Sequence, residues 1–384
     1  MNALGPDIDY HMVGDALDLL AGKKCAPAGE LLELRLVLQL TQQPGFPLGR
    51  VGKELAVRFV VADVLQAEYA RLRKLCGLDE IVVPDVASTV RDEIQLDART
   101  QNIILLGWSW LCWRYLYPEL NIRPEGFCRI ANIDERTLRR YQRSAISRLT
   151  DILLRREFRA IQTQRQAALL RQIPNRARPY LGRDHLTDRV REMLEKVEPP
   201  HLFFSGAPGV GKTAFVSHLL ERLVHEENLD FVIWIESPAS IDDLWASLTA
   251  AFFLTGDSSH IGDVIAEQHG IVVVDDLTNM GGSAADLIEF LRRLWLTHVF
   301  FVDQHDLRLP DMMPVIIPPI DQEQSLFLLR QLQDIVPSDT TASNYELEII
   351  AQEVGGNPRQ LREAFFAYVR GEDYISSATS RPTP

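Results

Sequence analysis

Gly206-Ala207-Pro208-Gly209-Val210-Gly211-Lys212-Thr213 is the stretch on which the reading of this chain turns. It fits G-x-x-x-x-G-K-[ST], a loop whose glycines let backbone N–H groups turn inward around a polyphosphate. Just before it, Leu202-Phe203-Phe204 reads as a buried parallel strand. After it, Phe215, Val216, Leu219, Leu220 and Leu223 recur at helical spacing. The loop thus stands between a strand and a helix, whose positive end adds to the attraction for phosphate. Lys212 is placed to reach the β- and γ-phosphates, and the Thr213 hydroxyl to hold Mg²⁺. Gly206 through Thr213, with Ala214, is the expected nucleotide cradle.

A chain of 384 residues has room for two or three domains. No apolar run approaches the ~18 residues of a membrane span, so no membrane partner is expected. The start, Met1 to Asp7, lacks the basic segment and apolar core of a signal peptide, and the expected compartment is the cytoplasm. Cys25, Cys76, Cys112 and Cys128 form no C-x-x-C pair and read as buried thiols. A net charge of −13 argues against a protein coated with basic surface. The charge is segregated, however. Between Arg123 and Arg183 stand fifteen Arg, no Lys and five acids, a local +10 that leaves −23 for the rest.

Residues 1–97 read as a helical, adaptor-like region. Leu31, Leu32, Leu34, Leu36, Val37 and Leu40 form one apolar-faced segment, and Val57, Val60, Val61, Val64 and Leu65 line a second from Val51 to Leu75. Ala98 to Tyr117 reads as one very apolar, aromatic helix, expected to be core.

The Arg-rich region, 98–173, continues with a short helix from Pro124 to Ala131 and a tight turn at Asn132-Ile133. A long helix then starts near Asp134, a good N-cap. At 100° per residue Arg136, Arg139, Arg140 and Arg143 share one face of it, opposite Leu138, Tyr141, Ala145 and Leu149. Short helix, turn and amphipathic helix with arginines outward is the layout of a helix-turn-helix. Ala131 to Leu138 resembles the helix-turn-helix of sigma-factor region four and LuxR-type regulators, with Ala131, Asp134 and Leu138 as departures. The arginine face admits three readings: duplex DNA, a protein partner, or a plain solvated surface. Pro174 to Pro179 reads as a linker.

Downstream of the phosphate loop short strands alternate with helices, the pattern of a parallel sheet covered on both faces. Phe231 to Ile235 is a strand, Ile241 to Phe253 a helix capped by Ser240, and His260 to Gln268 a further helix. Ile271-Val272-Val273-Val274-Asp275-Asp276 is a Walker B pattern, in which a buried strand delivers Asp275 to Mg²⁺ and sets Asp276 beside the attacking water. Ala284 to Trp295 is expected as a helix and Val299 to Val302 as a strand ending in Asp303-Gln304. Val315-Ile316-Ile317 is the expected fifth strand. Helices Gln322 to Ile335 and Tyr345 to Val354 precede Gly355-Gly356-Asn357-Pro358-Arg359, where Asn357 suits an N-cap and Pro358 the first helical position.

Tyr180-Leu181-Gly182-Arg183-Asp184-His185-Leu186 resembles the box that precedes the phosphate loop in the STAND class of switch ATPases and their AAA+ relatives. The Asp-Asp ending of the Walker B run is similar to STAND members, and the Gly-Asn-Pro-Arg run to the sensor-2 element of secretion- and transposition-type AAA+ proteins. The resemblance implies that Gly182 and Arg183 contact the adenine side, that Gln304 senses the γ-phosphate, and that Pro358 and Arg359 meet the nucleotide from a lid. It implies an α/β P-loop NTPase with a parallel five-stranded sheet, helices on both faces and a helical lid, preceded by an all-α region containing a helix-turn-helix. Core, lid and disordered tail then span 180–320, 321–371 and 372–384, after a linker at 174–179.

The implied function is an ATP- and Mg²⁺-binding, slowly hydrolysing switch that self-associates and presents its helix-turn-helix to DNA or an effector protein. Asp276, Lys212, Arg359 and Gln304 are its expected catalytic residues, Thr213 and Asp275 its metal ligands. Arg292, Arg293 and Arg308 are candidates for an arginine acting on a neighbouring subunit. Two alternatives stand beside it: a transposition-type regulator that assembles on DNA and recruits a recombinase, and a transcription regulator with an ADP-filled, nearly inert site.

Overall fold

Apolar residues at three- and four-residue spacing make the first part of the chain helical, and an alternation of β-rich and helical runs makes the second an α/β sheet. The computed structural model describes residues 8–23, 26–79, 87–174, 180, 183–196, 201–252, 265, 268–280, 284–294, 297–304, 309–310, 312–336 and 342–372. The chain forms two compact units, Met1–Arg165 and Gln166–Pro384.

The first unit contains α1 (Tyr10–Leu20), α2 (Gly29–Leu32), α3 (Arg35–Thr41), α4 (Gly49–Leu75), α5 (Ala87–Arg99), α6 (Ile103–Leu111), α7 (Pro124–Ala131) and most of α8 (Glu135–Gln172). Val57, Val61, Val64 and Leu65 of α4 pack into one core with Trp108, Trp110 and Trp113. The expected single apolar segment across Leu31–Leu40 is two short helices interrupted at Glu33–Leu34. Glu157, almost fully buried on α8, explains how α3 begins there: its carboxylate accepts the N–H groups of Arg35 (2.7 Å) and Leu36 (3.1 Å), donors with no partner inside the helix.

The aromatic segment is not one helix from Ala98 to Tyr117. Gln101 takes a left-handed backbone (φ 54°), and Asn102 caps a new helix by accepting from Ile104 N (3.0 Å) and Leu105 N (3.2 Å). The segment then closes on a π-helical turn, Cys112–Leu116. Gly107 is needed where α6 meets α8, because a Cβ there would stand 2.9 Å from the carbonyl oxygen of Tyr141.

In the second unit five parallel strands, β1 (His201–Ser205), β2 (Phe231–Glu236), β3 (Gly270–Asp275), β4 (His298–Val302) and β5 (Met312–Ile316), run in the order β2-β3-β4-β1-β5. The three inner strands, β1, β3 and β4, are buried on both faces, which is why they read as continuous apolar runs. α9 (Asp184–Lys196) and α10 (Lys212–Glu226) supply Val190, Phe215 and Leu219 to one face. α11 (Ile241–Ala251), capped by Ser240, and α12 (Ala284–Arg293) supply Leu244, Trp245 and Phe290 to the other. β5 begins three residues before the expected Val315 and contains Pro314, tolerated because an edge strand pairs on one side only.

α13 (Gln322–Ile335), α14 (Asn344–Val354) and α15 (Pro358–Val369) form a small helical lid around Leu329, Ile350, Leu361 and Phe365. The expected helix at His260 to Gln268 lies largely outside the described residues, as do most of the linker, Gly182, Arg308, the end of the Ala284–Trp295 helix and all but the first residue of the tail.

Candidate nucleotide site

In a parallel sheet every strand ends at the same edge, so the loops after β1, β3 and β4 share one crevice. The strand order places β4 between β1 and β3, and three separate sequence segments converge there. After β1 the chain turns through Gly209 (φ 77°) and Gly211 (φ 95°), both left-handed, as glycine readily allows. Gly211 is the N-cap of α10 and brings no side chain to the helix N-terminus, an end whose N–H groups and dipole attract an anion. The core has the P-loop NTPase fold. Its β2-β3-β4-β1-β5 order and the phosphate loop between β1 and α10 decide this together.

The Lys212 ammonium lies back over its own loop, donating to Gly206 O (3.0 Å) and Ala207 O (3.3 Å). Burial lowers its pKa, while the nearby charges of Asp303, Asp275 and Asp276 act the other way. Asp275, the last residue of β3, is pushed up to about 6 by burial, against a hydrogen bond from the Thr213 side chain. A hydroxyl joined to a carboxylate at a helix N-terminus is a hard-oxygen donor set that fits Mg²⁺, which keeps waters and phosphate oxygens as its other ligands. Among the described residues no group of three or more His, Cys, Asp or Glu forms a separate metal cage.

Asp276 has left the strand. Its backbone is left-handed (φ 64°) and its N–H donates to Val302 O (2.9 Å). The carboxylate accepts from Thr278 N (3.2 Å) and the Ser237 hydroxyl (2.9 Å); the Thr278 side chain, then Ser237 and the Thr278 N–H, hold its pKa below the usual carboxylate range. Ser237, which follows β2, was not a site residue in the sequence reading. Nor was Asp303, although it repeats the signature of Asp275, an apolar strand ending in a carboxylate. Asp303 is buried and accepts the N–H of Leu277 (2.9 Å), joining the end of β4 to the loop after β3. Its neighbour Gln304 is exposed and donates its backbone N–H to the Asp303 carboxylate.

The lid is fastened to the loop itself. Asn357 caps α15 by accepting from Arg359 N (3.1 Å), and its amide donates to Pro208 O (2.8 Å). The Arg359 N–H reaches Gly209 O (3.3 Å), and a Cβ on Gly209 would come within 2.7 Å of the Arg359 Cβ. The Arg359 guanidinium is exposed and paired with Glu363 (2.8 Å). Between loop and lid opens a cavity of about 390 Å³, walled by Tyr180, Val210, Ala214, Ile320, Leu328 and Pro358. At its edge Arg183, 9% exposed, donates to Val210 O (2.7 Å) and Pro318 O (2.8 Å), while its Nε has no partner among the described residues. Tyr180 stacks on His218 with ring centroids 4.1 Å apart.

Elsewhere, Arg136, Arg139, Arg140 and Arg143 are all exposed on α8, which Asp134 caps through Thr137 N (2.8 Å). Arg139 pairs with Glu135 (3.3 Å), and the Arg140 guanidinium lies 5.5 Å from the Tyr141 ring centre. Trp110 anchors this helix, donating to Gln142 (3.1 Å) and packing edge-on against Phe127 of α7. Arg293 is paired with Glu289 and lies over the Trp245 ring; Arg292 is exposed.

No protein-family model matches the sequence, and no curated protein matches it. Similar solved structures include the Aeropyrum pernix ORC2 protein in its ADP form, at 15% identity over 55% of this chain and 72% of that one, with a TM-score of 0.39. The Aeropyrum pernix ORC1 protein in complex with DNA matches at 15% identity, 56% of this chain and 68% of that one, with a TM-score of 0.38. A STAND protein with a tetratricopeptide repeat sensor from Pyrococcus horikoshii matches at 14% identity, 52% of this chain and 33% of that one, with a TM-score of 0.37. No helix among the described residues is long and apolar enough to cross a membrane.

Proposed function

We propose that this chain is an ATP-binding, slowly hydrolysing molecular switch that self-associates according to its nucleotide and presents the arginine face of α8 to duplex DNA or an effector protein. One observation carries the reading: α15 is hydrogen-bonded to the same loop, through Pro208 and Gly209, that would cradle the phosphates. Any ligand that reorders the loop must act on the lid.

In this reading the N–H groups at the start of α10 and the Lys212 ammonium hold the β- and γ-phosphates, which requires Lys212 to exchange its two loop carbonyls for phosphate oxygens. Thr213 and Asp275 would hold Mg²⁺, which would supply charge neutralisation for the phosphates. Asp276 is oriented by Ser237 and Thr278 to accept the proton of the attacking water. Arg183 and Tyr180 serve the base side, and Arg359 exchanges Glu363 for the terminal phosphate. Differential affinity of the lid for the two nucleotide states drives the change of company.

A second reading, a regulator that assembles on DNA and recruits a partner enzyme such as a recombinase, is favoured by the exposed row Arg136, Arg139, Arg140 and Arg143. Size measurement with ADP, with a slowly hydrolysed ATP analogue, and with the analogue plus duplex DNA separates the two. Growth with the analogue alone supports the switch; growth only with DNA present supports the second reading. A Lys212→Ala variant that bound and hydrolysed ATP normally would end both.

A further inference from the structure

We infer that Arg362 contacts the base and ribose end of a bound purine nucleotide, so that it sets the advantage of a base-bearing ligand over bare polyphosphate. The inference rests on the nucleotide reading above. Three guanidiniums border the cavity, and two are already engaged: Arg183 with the carbonyls of Val210 and Pro318, Arg359 with Glu363. Arg362 is half-buried, lines the same cavity, and makes no hydrogen bond or ion pair with the described residues. A guanidinium carries five donors, and removing it from water without acceptors is unfavourable. A ligand bearing acceptors or a π-face relieves that cost.

Helix geometry assigns the end of the ligand. The Arg359 stem packs on Gly209, at the phosphate end. Arg362 is three residues further along α15, on the same side and about 4.5 Å along the axis away from the loop. The apolar side chains that wall the cavity beyond the loop, Ile320 and Leu328, suit a flat base rather than a phosphate. Against such a base the planar fork of Arg362 can donate to ring nitrogens or ribose oxygens, or stack on the ring.

The test is calorimetry on the full chain with two probes, ATP and inorganic tripolyphosphate, each with Mg²⁺. Arg362→Met keeps the stem and removes the guanidinium. It is expected to lower ATP affinity about tenfold, the scale of a hydrogen bond to a charged group, while tripolyphosphate affinity stays within about twofold. An unchanged melting curve for the ligand-free variant excludes a folding defect. Unchanged ATP affinity, or equal losses for both probes, overturns the inference. A wild-type chain that binds neither probe overturns the nucleotide reading itself, and the two failures are distinct.

Discussion

The side-chain amide of Asn357 donates to the carbonyl of Pro208 across 2.8 Å, joining residues 149 positions apart and making the lid's last helix a neighbour of the phosphate loop. The same side chain accepts the N–H groups that begin α15. The two roles separate by substitution. Asn357→Asp keeps the acceptor and loses the donor; it is expected to leave the lid folded and to weaken ATP binding several-fold. Asn357→Ala loses both and should lower stability as well, by about 1 kcal/mol. Thermal melts with and without ATP read both effects.

Asp303 holds the loop that carries Asp276, through its bond from Leu277 N. Asp303→Ala should leave Asp276 misplaced, and a displacement of about 1 Å at a reacting group can cost on the order of a hundredfold in rate. Single-turnover hydrolysis is expected to slow on that scale while ATP affinity changes far less. A normal rate would remove Asp303 from the site.

In the first unit Arg73 is almost fully buried, paired with Asp97 and Glu93, and its Nε donates to Asp79 O. Asp97, fully buried, also accepts from the Tyr69 hydroxyl. Arg73→Met strands a buried carboxylate and should cost about 3–5 kcal/mol. The double variant Arg73→Met with Asp97→Leu should recover much of that loss, because the buried carboxylate that Arg73 neutralised is gone as well. Chemical denaturation of the full chain checks the sign and the order.

If the α8 arginines meet phosphates, DNA affinity must fall steeply with salt. Replacing Arg136, Arg139, Arg140 or Arg143 by Ala should reduce the salt slope by roughly 0.9 for each phosphate no longer neutralised. A flat response in the unaltered chain would assign this face to a protein partner or to solvent.

Asp134 accepts from both the N–H and the hydroxyl of Thr137, and these bonds hold its carboxyl below the ordinary range. A depressed folded pKa means that the cap's contribution is present above the unfolded value, about 3.9, and is lost as pH falls through the folded one. The Thr137 amide shift should therefore titrate at a pH lower than that of a free aspartate. Titration at the ordinary value would show the cap absent in solution.

Much of the fold is legible in local residue chemistry. Asp134, Ser240 and Asn357 announce helix starts by local chemistry, and the positions of α7, the Asn132 turn and α8 follow from residues within one helical turn of each other. Asp275 was legible because a buried strand ending in a carboxylate is a local pattern. Ser237 carries no such pattern and matters through a partner 39 residues away; Asp303 repeats the strand-end carboxylate of Asp275, but its bond to an N–H 26 residues away is set by the fold. The break at Gln101–Asn102 was hidden by the aromatic density around it.

What the order of residues determined by itself is the glycine-rich loop between strand and helix, the carboxylate that ends β3 and the alternation that makes a parallel sheet, because glycine torsions, capping and periodicity act over a few residues. Only the tertiary structure decided which polar groups complete the site. The insertion of β4 between β1 and β3 brings Asp303 to Leu277, and the close approach at Gly209 seats α15 on the loop. Such pairings depend on how strands are ordered and helices packed across the whole second unit, and short-range chemistry does not encode them.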